Sequence, residues 1–194
     1  DLRYGYPFCR GRIFDVVEKD CGQYDTVTEV MWVTGAALFI RLADYREVGG
    51  LDDHFFAHME EIDLCWRLRS RGKKLVCIPQ SVVYHVGGAT LKKENPRKTF
   101  LNFRNNLLML YKNLPDKELE HVLFIRGILD RVAALVFYLK KDRANARAVM
   151  QARREFEDIR YSFAASRIEN IMKSTDEMIP ERTHFSILDR KNVE

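Results

Sequence analysis

From position 52 the chain reads Asp52-Asp53-His54-Phe55-Phe56-Ala57-His58-Met59-Glu60-Glu61-Ile62-Asp63, a stretch in which ionisable side chains alternate with aromatic and aliphatic ones. Carboxylates beside aromatic rings at the entrance to a helix suit proton transfer or the holding of a cation. Acids there also favour the positive end of a helix dipole, which by itself would account for some of them. Helical spacing separates the three at 60, 61 and 63. Glu60, Asp63 and Arg67 share one arc, and Asp63 and Arg67 are spaced as an i,i+4 ion pair. Glu61 falls on the arc of Leu64, Cys65 and Leu68, the side expected to face the core. A carboxylate half-buried at a helix start suits a general base. The dipole keeps it ionised, while burial raises its proton affinity towards neutrality.

Other residues offer weaker chemistry. His54 and His58 are spaced like metal ligands, but they do not form H-E-x-x-H and they lie in a segment that reads as loop. His85 ends the strand-like run Val82-Val83-Tyr84 and precedes Val86-Gly87-Gly88, a place where a side chain can meet a ligand or metal. Taken alone, a single histidine is more often a structural hydrogen-bonder. The basic run Leu91-Lys92-Lys93-Glu94-Asn95-Pro96-Arg97-Lys98 fits either a loop folded over an anionic group such as a diphosphate or a solvated surface loop. Met31-Trp32-Val33-Thr34-Gly35-Ala36-Ala37 fits a strand lining a pocket, or core with a bulge at Gly35.

The elements that must position these residues change in texture near Pro96. Before it, short β-rich runs alternate with turns: Thr26–Val33, Leu38–Ile40, Lys74–Ile78 and Ser81–Val86. A short helix-like stretch, Leu42–Val48, stops at Gly49-Gly50. A clear helix covers about Met59–Arg71, with Gly72 placed for the left-handed residue that ends it. After Pro96 the expectation is three helices, about Lys98–Asn113 stopped by Pro115, Asp116–Lys140, and Ala144–Lys173, then a polar tail. The expected division is therefore 1–96, 97–173 and 174–194. In the second of these helices Val122, Ile125, Leu129, Val132, Val136 and Leu139 form an apolar stripe broken by Arg126, Asp130 and Arg131, which excludes spanning a membrane. A packed helix–helix interface is the preferred explanation of that stripe, and a helix lying on a membrane surface is the alternative.

Composition narrows the class. At 194 residues with 46% hydrophobic content, the chain can bury one sizeable core and is too apolar for disorder. Its net charge of +4 comes from the second half, where 19 Lys/Arg face 14 Asp/Glu after residue 96. Those charges are interspersed, and no aromatic-plus-basic module is recognisable, so nucleic acid ranks last among partners. Cys9, Cys21, Cys65 and Cys77 contain no C-x-x-C pair, and a reduced, cytoplasmic setting is expected. The chain begins with Asp and carries no signal-like segment, so it is expected to start partway through a longer protein.

Taken in order, Val33-Thr34-Gly35-Ala36-Ala37-Leu38-Phe39-Ile40-Arg41, Val48-Gly49-Gly50-Leu51-Asp52-Asp53-His54-Phe55-Phe56, Glu60-Glu61-Ile62-Asp63-Leu64-Cys65-Trp66-Arg67 and Pro79 through Tyr84-His85-Val86-Gly87-Gly88 resemble family 2 glycosyltransferases, in particular bacterial rhamnosyltransferase-like members. The resemblance covers roughly residues 30–114. It implies an α/β fold, here the α+β C-terminal, acceptor-side part of a GT-A Rossmann-like architecture, with a short mixed sheet followed by a helical extension. It implies inverting transfer of a sugar from a nucleotide-sugar donor to a saccharide or lipid-linked acceptor in cell-surface polysaccharide synthesis, assisted by a divalent cation (Mg or Mn). Glu61 falls where the family places its catalytic base, with Asp63 and Glu60 as neighbouring acids; Glu for Asp at 61 is a departure. Trp32 and Gly35 fall on the strand beside the acceptor site and His85 on a histidine that ligates metal in some members; Asp53 is a further acceptor-side candidate, and Lys92 and Lys93 of the basic run are the candidates for the loop over the diphosphate. The family's D-x-D motif has no match in this sequence. The segment alone is therefore expected to be inactive, in a protein located in the cytoplasm and at most peripheral at the inner face of the cell membrane. A non-catalytic interaction or membrane-docking module is the alternative.

Overall fold

Local chemistry sets where the helices start and stop. The computed structural model describes residues 4–13, 16–85 and 95–175. Two antiparallel strand pairs are present, β1 (Arg12–Ile13) with β2 (Val16–Val17) and β3 (Thr28–Glu29) with β4 (Val76–Cys77). Helices α1 (Leu42–Glu47) and α2 (Glu60–Ser70) lie between β3 and β4, and α3 (Pro96–Asn113), α4 (Asp116–Leu139), α5 (Arg143–Ile159) and α6 (Ala164–Met172) follow. Gly72 ends α2 at φ 73°, its N–H bonding the Arg69 carbonyl at 2.8 Å while the Lys73 N–H reaches Leu68 at 3.1 Å. That pair of bonds is the Schellman closure anticipated from the glycine. Asn95 caps α3 by accepting from the Arg97 N–H, and Pro96 fills the first helical position, where its missing N–H costs nothing. Leu114 is extended (ψ 136°), as a residue before proline must be, and α3 stops there.

The mixed α/β class holds, with helix predominating. The strands are shorter than their β-rich runs. Thr26–Val33 and Lys74–Ile78 contribute only two residues each to the ladder, extended by a Val30 N–H to Leu75 carbonyl bond of 2.9 Å. Leu38–Ile40 and the described part of Ser81–Val86 form no strand, and Val82, Val83 and Tyr84 are exposed. A strand needs a neighbour to pair with, and among the described residues these runs have none; Leu38 and Ile40 pack on the smaller core cluster without joining a ladder. The expected 144–173 helix is divided by a 3-10 turn, Arg160–Phe163. There Ser162 Oγ donates to the Ile159 carbonyl and Phe163 turns inward.

One core crosses residue 96. Phe55, Ile62 and Trp66 pack with Leu107, Leu108 and Leu110 of α3, Val122 of α4 and Phe156 of α5. A smaller cluster of Val48, Leu64, Cys65, Leu68 and Leu75 lies on the other side of α2, and Trp32 touches both. The amino-terminal segment is stitched to the helices at Gly5. Its φ is +66° and an added Cβ would come within 2.6 Å of the Leu110 side chain, so only glycine fits. Its carbonyl accepts from Asn106 Nδ2 at 2.9 Å and Arg126 Nη1 at 3.2 Å.

Polar side chains complete the interior. Asp63, fully enclosed, accepts from Arg67 Nε at 2.9 Å, Lys112 Nζ at 3.0 Å and Asn113 Nδ2 at 2.8 Å. The remaining Arg67 nitrogens donate to the Val48 and Gly50 carbonyls at the end of α1. Lys112 Nζ also reaches Asp52 at 2.7 Å, so two cations and two anions balance. A second network joins Arg126 to Asp130 at 3.1 Å and Arg153 to Asp130 at 2.7 Å, with Arg126 stacked over Tyr6.

The apolar stripe of α4 requires a correction. Val122 is buried as a packed interface demands, yet Val132, Val136 and Leu139 are exposed, while Arg126 and Asp130 are enclosed. The paired ions face the body because each satisfies the other there, and the apolar side chains between them point outward.

Removing one partner from a buried pair strands the other charge, which typically costs about 3–5 kcal/mol. Lys112→Met is expected to lose stability of that order, measured by urea denaturation of the folded chain. Exposed Lys117→Met, the control, should change it by less than about 0.5 kcal/mol.

Candidate functional site

The entrance to α2 carries the chemistry. Phe56, His58 and Met59 all have positive φ, at 61°, 70° and 74°, which side chains other than glycine rarely adopt. Such a run persists only where its surroundings hold it. Asn105, fully buried on α3, does so: its Nδ2 lies 2.8 Å from each of the carbonyls of Phe55, Ala57 and His58. Arg104 Nη2 adds a bond to the His54 carbonyl at 3.0 Å. Met59 occupies the N-cap position without a side-chain cap, so α2 begins with Glu60 and Glu61 beside its free N–H groups.

Glu61 is half-buried, and its Oε2 has no hydrogen-bond partner among the described residues. Burial pushes its pKa up, backbone N–H groups at Glu61, Ile62 and Met59 pull it down, and the neighbouring Glu60 charge adds to the net rise. A methyl built on Gly35 would lie 3.6 Å from Glu61 Cβ and 3.9 Å from its Cγ, so the Gly35–Ala37 turn packs against the stem of the Glu61 side chain. One turn further along α2, Cys65 Sγ meets the Val33 carbonyl at 4.0 Å. The Trp32–Gly35 strip therefore runs along the Glu61 face, and the structure brings Trp32, Gly35, Glu60 and Glu61 into one region.

His58 joins them. Its Nε2 is enclosed and unpartnered among the described residues. Burial lowers its pKa, Lys98 lowers it further and Glu60 opposes, so the ring is held towards the neutral form. Glu60 likewise has an enclosed Oε2 without a partner. His54 takes a different role: its Nδ1 lies 2.7 Å from Asp52 and its ring packs edge-on against Phe163 at 5.1 Å.

The remaining sequence candidates separate. Asp63 lies beneath the site, its carboxylate occupied by three donors. Asp53 opens the Asp53–Phe55 turn and is exposed, as is His85. Lys92 and Lys93 lie outside the described residues. Among the described residues, no group of three or more His, Cys, Asp or Glu is arranged to hold a metal ion. All four cysteines are free, and burial pushes the Cys65 thiol up to about 11, which keeps it protonated and inert. Asn105 and Lys112 had no signal in the sequence, because their partners lie some fifty positions away.

Comparison with known proteins bears on what this geometry serves. The pre-mycofactocin glycosyltransferase of Mycobacterium tuberculosis is 31% identical over 141 residues, 67% of this chain and 29% of the relative. The chain is related to glycosyltransferases. Its N-acetylglucosaminyl-diphospho-decaprenol L-rhamnosyltransferase relative, from the same organism, is 38% identical over 56 residues, 29% of this chain and 18% of that protein. The rhamnosyltransferase WbbL of Escherichia coli is 33% identical over 69 residues, 36% of this chain and 25% of that protein. The chain thus spans less than a third of the length of each of these glycosyltransferases. No family model matches it, and no solved structure does.

Two measurements test the site's architecture. Asn105→Ala removes a donor from three carbonyls, of which Phe55 keeps the Ala57 N–H, and should cost about 1–3 kcal/mol. Amide hydrogen exchange should rise selectively at residues 56–59; unchanged exchange there would remove Asn105 as the clamp. Burial alone would raise Asp52, but Lys112, by hydrogen bond and charge, together with the His54 bonds, holds it down at about 2. A carboxylate lowered on folding contributes stability present above its unfolded pKa of about 3.9 and lost as pH falls through the folded value. The wild-type chain should lose stability between about pH 4 and pH 2, and Asp52→Asn should flatten that window.

Proposed function

We propose that this chain is the acceptor-side, base-bearing part of an inverting nucleotide-sugar glycosyltransferase. The observation that carries the reading is Glu61: a half-buried carboxylate with raised proton affinity, an oxygen unpartnered among the described residues and a stem packed on Gly35, at a rigidly held helix entrance. In the proposed reaction an acceptor hydroxyl enters over Gly35 and gives its proton to Glu61. Its oxygen forms the new bond to the anomeric carbon, and the bond to the nucleoside diphosphate breaks, the electron pair leaving with the diphosphate. Inversion follows from this single displacement. His58 and Glu60 would orient acceptor hydroxyls through their unpartnered atoms, Trp32 would offer an apolar edge to the sugar ring, and Asp53 would contact the acceptor from the exposed rim. Asp63 would position α2 rather than touch substrate.

A divalent cation, Mg or Mn, would stabilise the leaving diphosphate in the complete enzyme. His85 is its candidate ligand from this chain, with Lys92 and Lys93 as diphosphate contacts. The names of two relatives specify rhamnosyl transfer and one specifies a diphospho-decaprenol acceptor, which supports a lipid-linked saccharide acceptor of cell-surface polysaccharide synthesis. Because the chain spans less than a third of these relatives, transfer itself is proposed for the whole protein.

In the complete enzyme, Glu61→Gln should lower kcat by about 10²–10⁴-fold while nucleotide-sugar binding, read by calorimetry, is retained. Wild-type levels of transfer by that variant would dismiss Glu61 as the base. With a base that must be deprotonated, and a pKa raised above the ordinary glutamate value of about 4.3, kcat/KM should fall on the acid side at a pH above that value. An acid limb at or below it would contradict the assignment.

A further inference from the structure

The outer face of α4 lies apart from the acid cluster and goes beyond the transferase reading. Phe124, Ile128, Val132, Leu135 and Leu139 fall within an arc of about 80° on the helix and form a row about 22 Å long. All five are at least half exposed, Phe124 at 69% and Leu139 at 70%. Between them the ionic residues are turned away or tied down. Arg126 and Asp130 are enclosed on the opposite face, and Arg131 at the edge of the row donates to the Gly127 carbonyl at 2.7 Å. A helix that encloses its ions and presents its apolar side chains is inverted relative to an ordinary surface helix.

The carboxyl end of the row carries charge of one sign. Lys140, Lys141, Arg143 and Arg147 are exposed there. The single acid among them, Asp142, is used locally, accepting from the Asn145 backbone N–H at 3.1 Å and from Asn145 Nδ2 at 2.7 Å. Lys141 has φ 64°, at a helix-ending position that glycine fills most cheaply, so a cation stands where local backbone preference would not put one. Tyr138, exposed at the boundary, lies under the Arg143 guanidinium at 5.8 Å. Apolar side chains in a row, an amphipathic aromatic at their edge and a cluster of cations beyond are the parts with which a helix lies in the interface of an anionic bilayer. A second copy meeting this end about a two-fold axis would bring the same four cations together, which disfavours it.

We propose that α4 docks the protein on an anionic lipid surface, with Phe124, Ile128, Leu135 and Leu139 inserted among the acyl chains and Lys140, Lys141, Arg143 and Arg147 on the headgroups. No helix of the described residues is long and apolar enough to cross a membrane, so the contact is peripheral.

The test is co-sedimentation of the full chain with mixed phosphatidylglycerol–phosphatidylcholine vesicles and with phosphatidylcholine alone, a readout that does not depend on sugar transfer. Wild type should pellet with the mixed vesicles, and high salt or pure phosphatidylcholine should weaken binding. Ile128→Glu/Leu135→Glu should reduce it by more than about tenfold. Lys140→Glu/Lys141→Glu, outside the apolar row, should reduce it by about fivefold per charge and blunt the salt dependence. Far-UV circular dichroism checks that both variants remain folded. Failure of wild type to pellet, or binding unaffected by both variants, would overturn the proposal. So would a concentration-dependent dimer, seen by light scattering without vesicle binding, that Ile128→Glu/Leu135→Glu abolishes, because it would assign the face to a second copy.

Discussion

An enclosed carboxylate must be neutralised, and the structure is arranged around the way Asp63 is. Taking an ion out of water costs several kcal/mol even after relaxation, which only close opposite charge and complete hydrogen bonding can offset. Arg67, one turn along the same helix, supplies the first partner; Lys112 and Asn113, at the end of α3, supply the others. Each donor is then committed elsewhere as well. Arg67 closes the carbonyls left at the end of α1, and Lys112 holds Asp52 at the start of the loop that leads to α2. The compensation of one charge thereby fixes the relative placement of α1, the loop, α2 and α3. Asp63 is occupied in this way, and Glu61, two residues earlier, keeps an oxygen unpaired among the described residues.

Arginine is used repeatedly for the same physical purpose. Arg67 faces the end of α1, and Arg167 donates to the Tyr111 and Leu114 carbonyls at the end of α3 while pairing with Asp116 at the start of α4. Arg126 joins the Gly5 carbonyl, Asn106 and Asp130. In each case a planar, always-charged group with several fixed donors satisfies orphan backbone acceptors and an acid together, which a lysine ammonium does less completely. The basic composition of the second half is therefore partly internal structure. Among the described residues, Lys140, Lys141, Arg143 and Arg147 around the α4–α5 turn face solvent together.

How much could be read in advance follows from range. The Asp63–Arg67 pair, the Gly72 stop, the break at Pro115 and the half-buried face of Glu61 were all legible, because each depends on neighbours within about one helical turn. The Asn105 clamp and the Lys112 bridge were not, since nothing local marks an Asn or a Lys in α3 as reaching into a loop fifty residues earlier. The β-rich runs at 38–40 and 81–85 promised strands that lack partners among the described residues. The α4 stripe holds as a packed interface only in its first part: Val122 is buried and Ile125 and Leu129 half-buried, but Val132, Val136 and Leu139 are exposed. Periodicity locates an apolar row without saying whether a buried ion pair claims the inner face. His58, set aside as a metal ligand, gained interest only once its left-handed backbone and enclosed Nε2 were visible.

The loop that carries His58 and leads into Glu60 and Glu61 has a consequence for shortening the protein. Every chemical group proposed for the reaction among the described residues lies before residue 96, so a chain cut there would keep the full inventory of acids and histidines. It would lose Asn105, Arg104 and Lys112, the donors to Phe55, Ala57, His58, His54 and Asp52. Phe56, His58 and Met59, held at positive φ, would relax towards ordinary geometry, and the entrance that sets Glu61 would loosen. The smallest unit able to present that carboxylate extends through α3, and the helices behind the site belong to it.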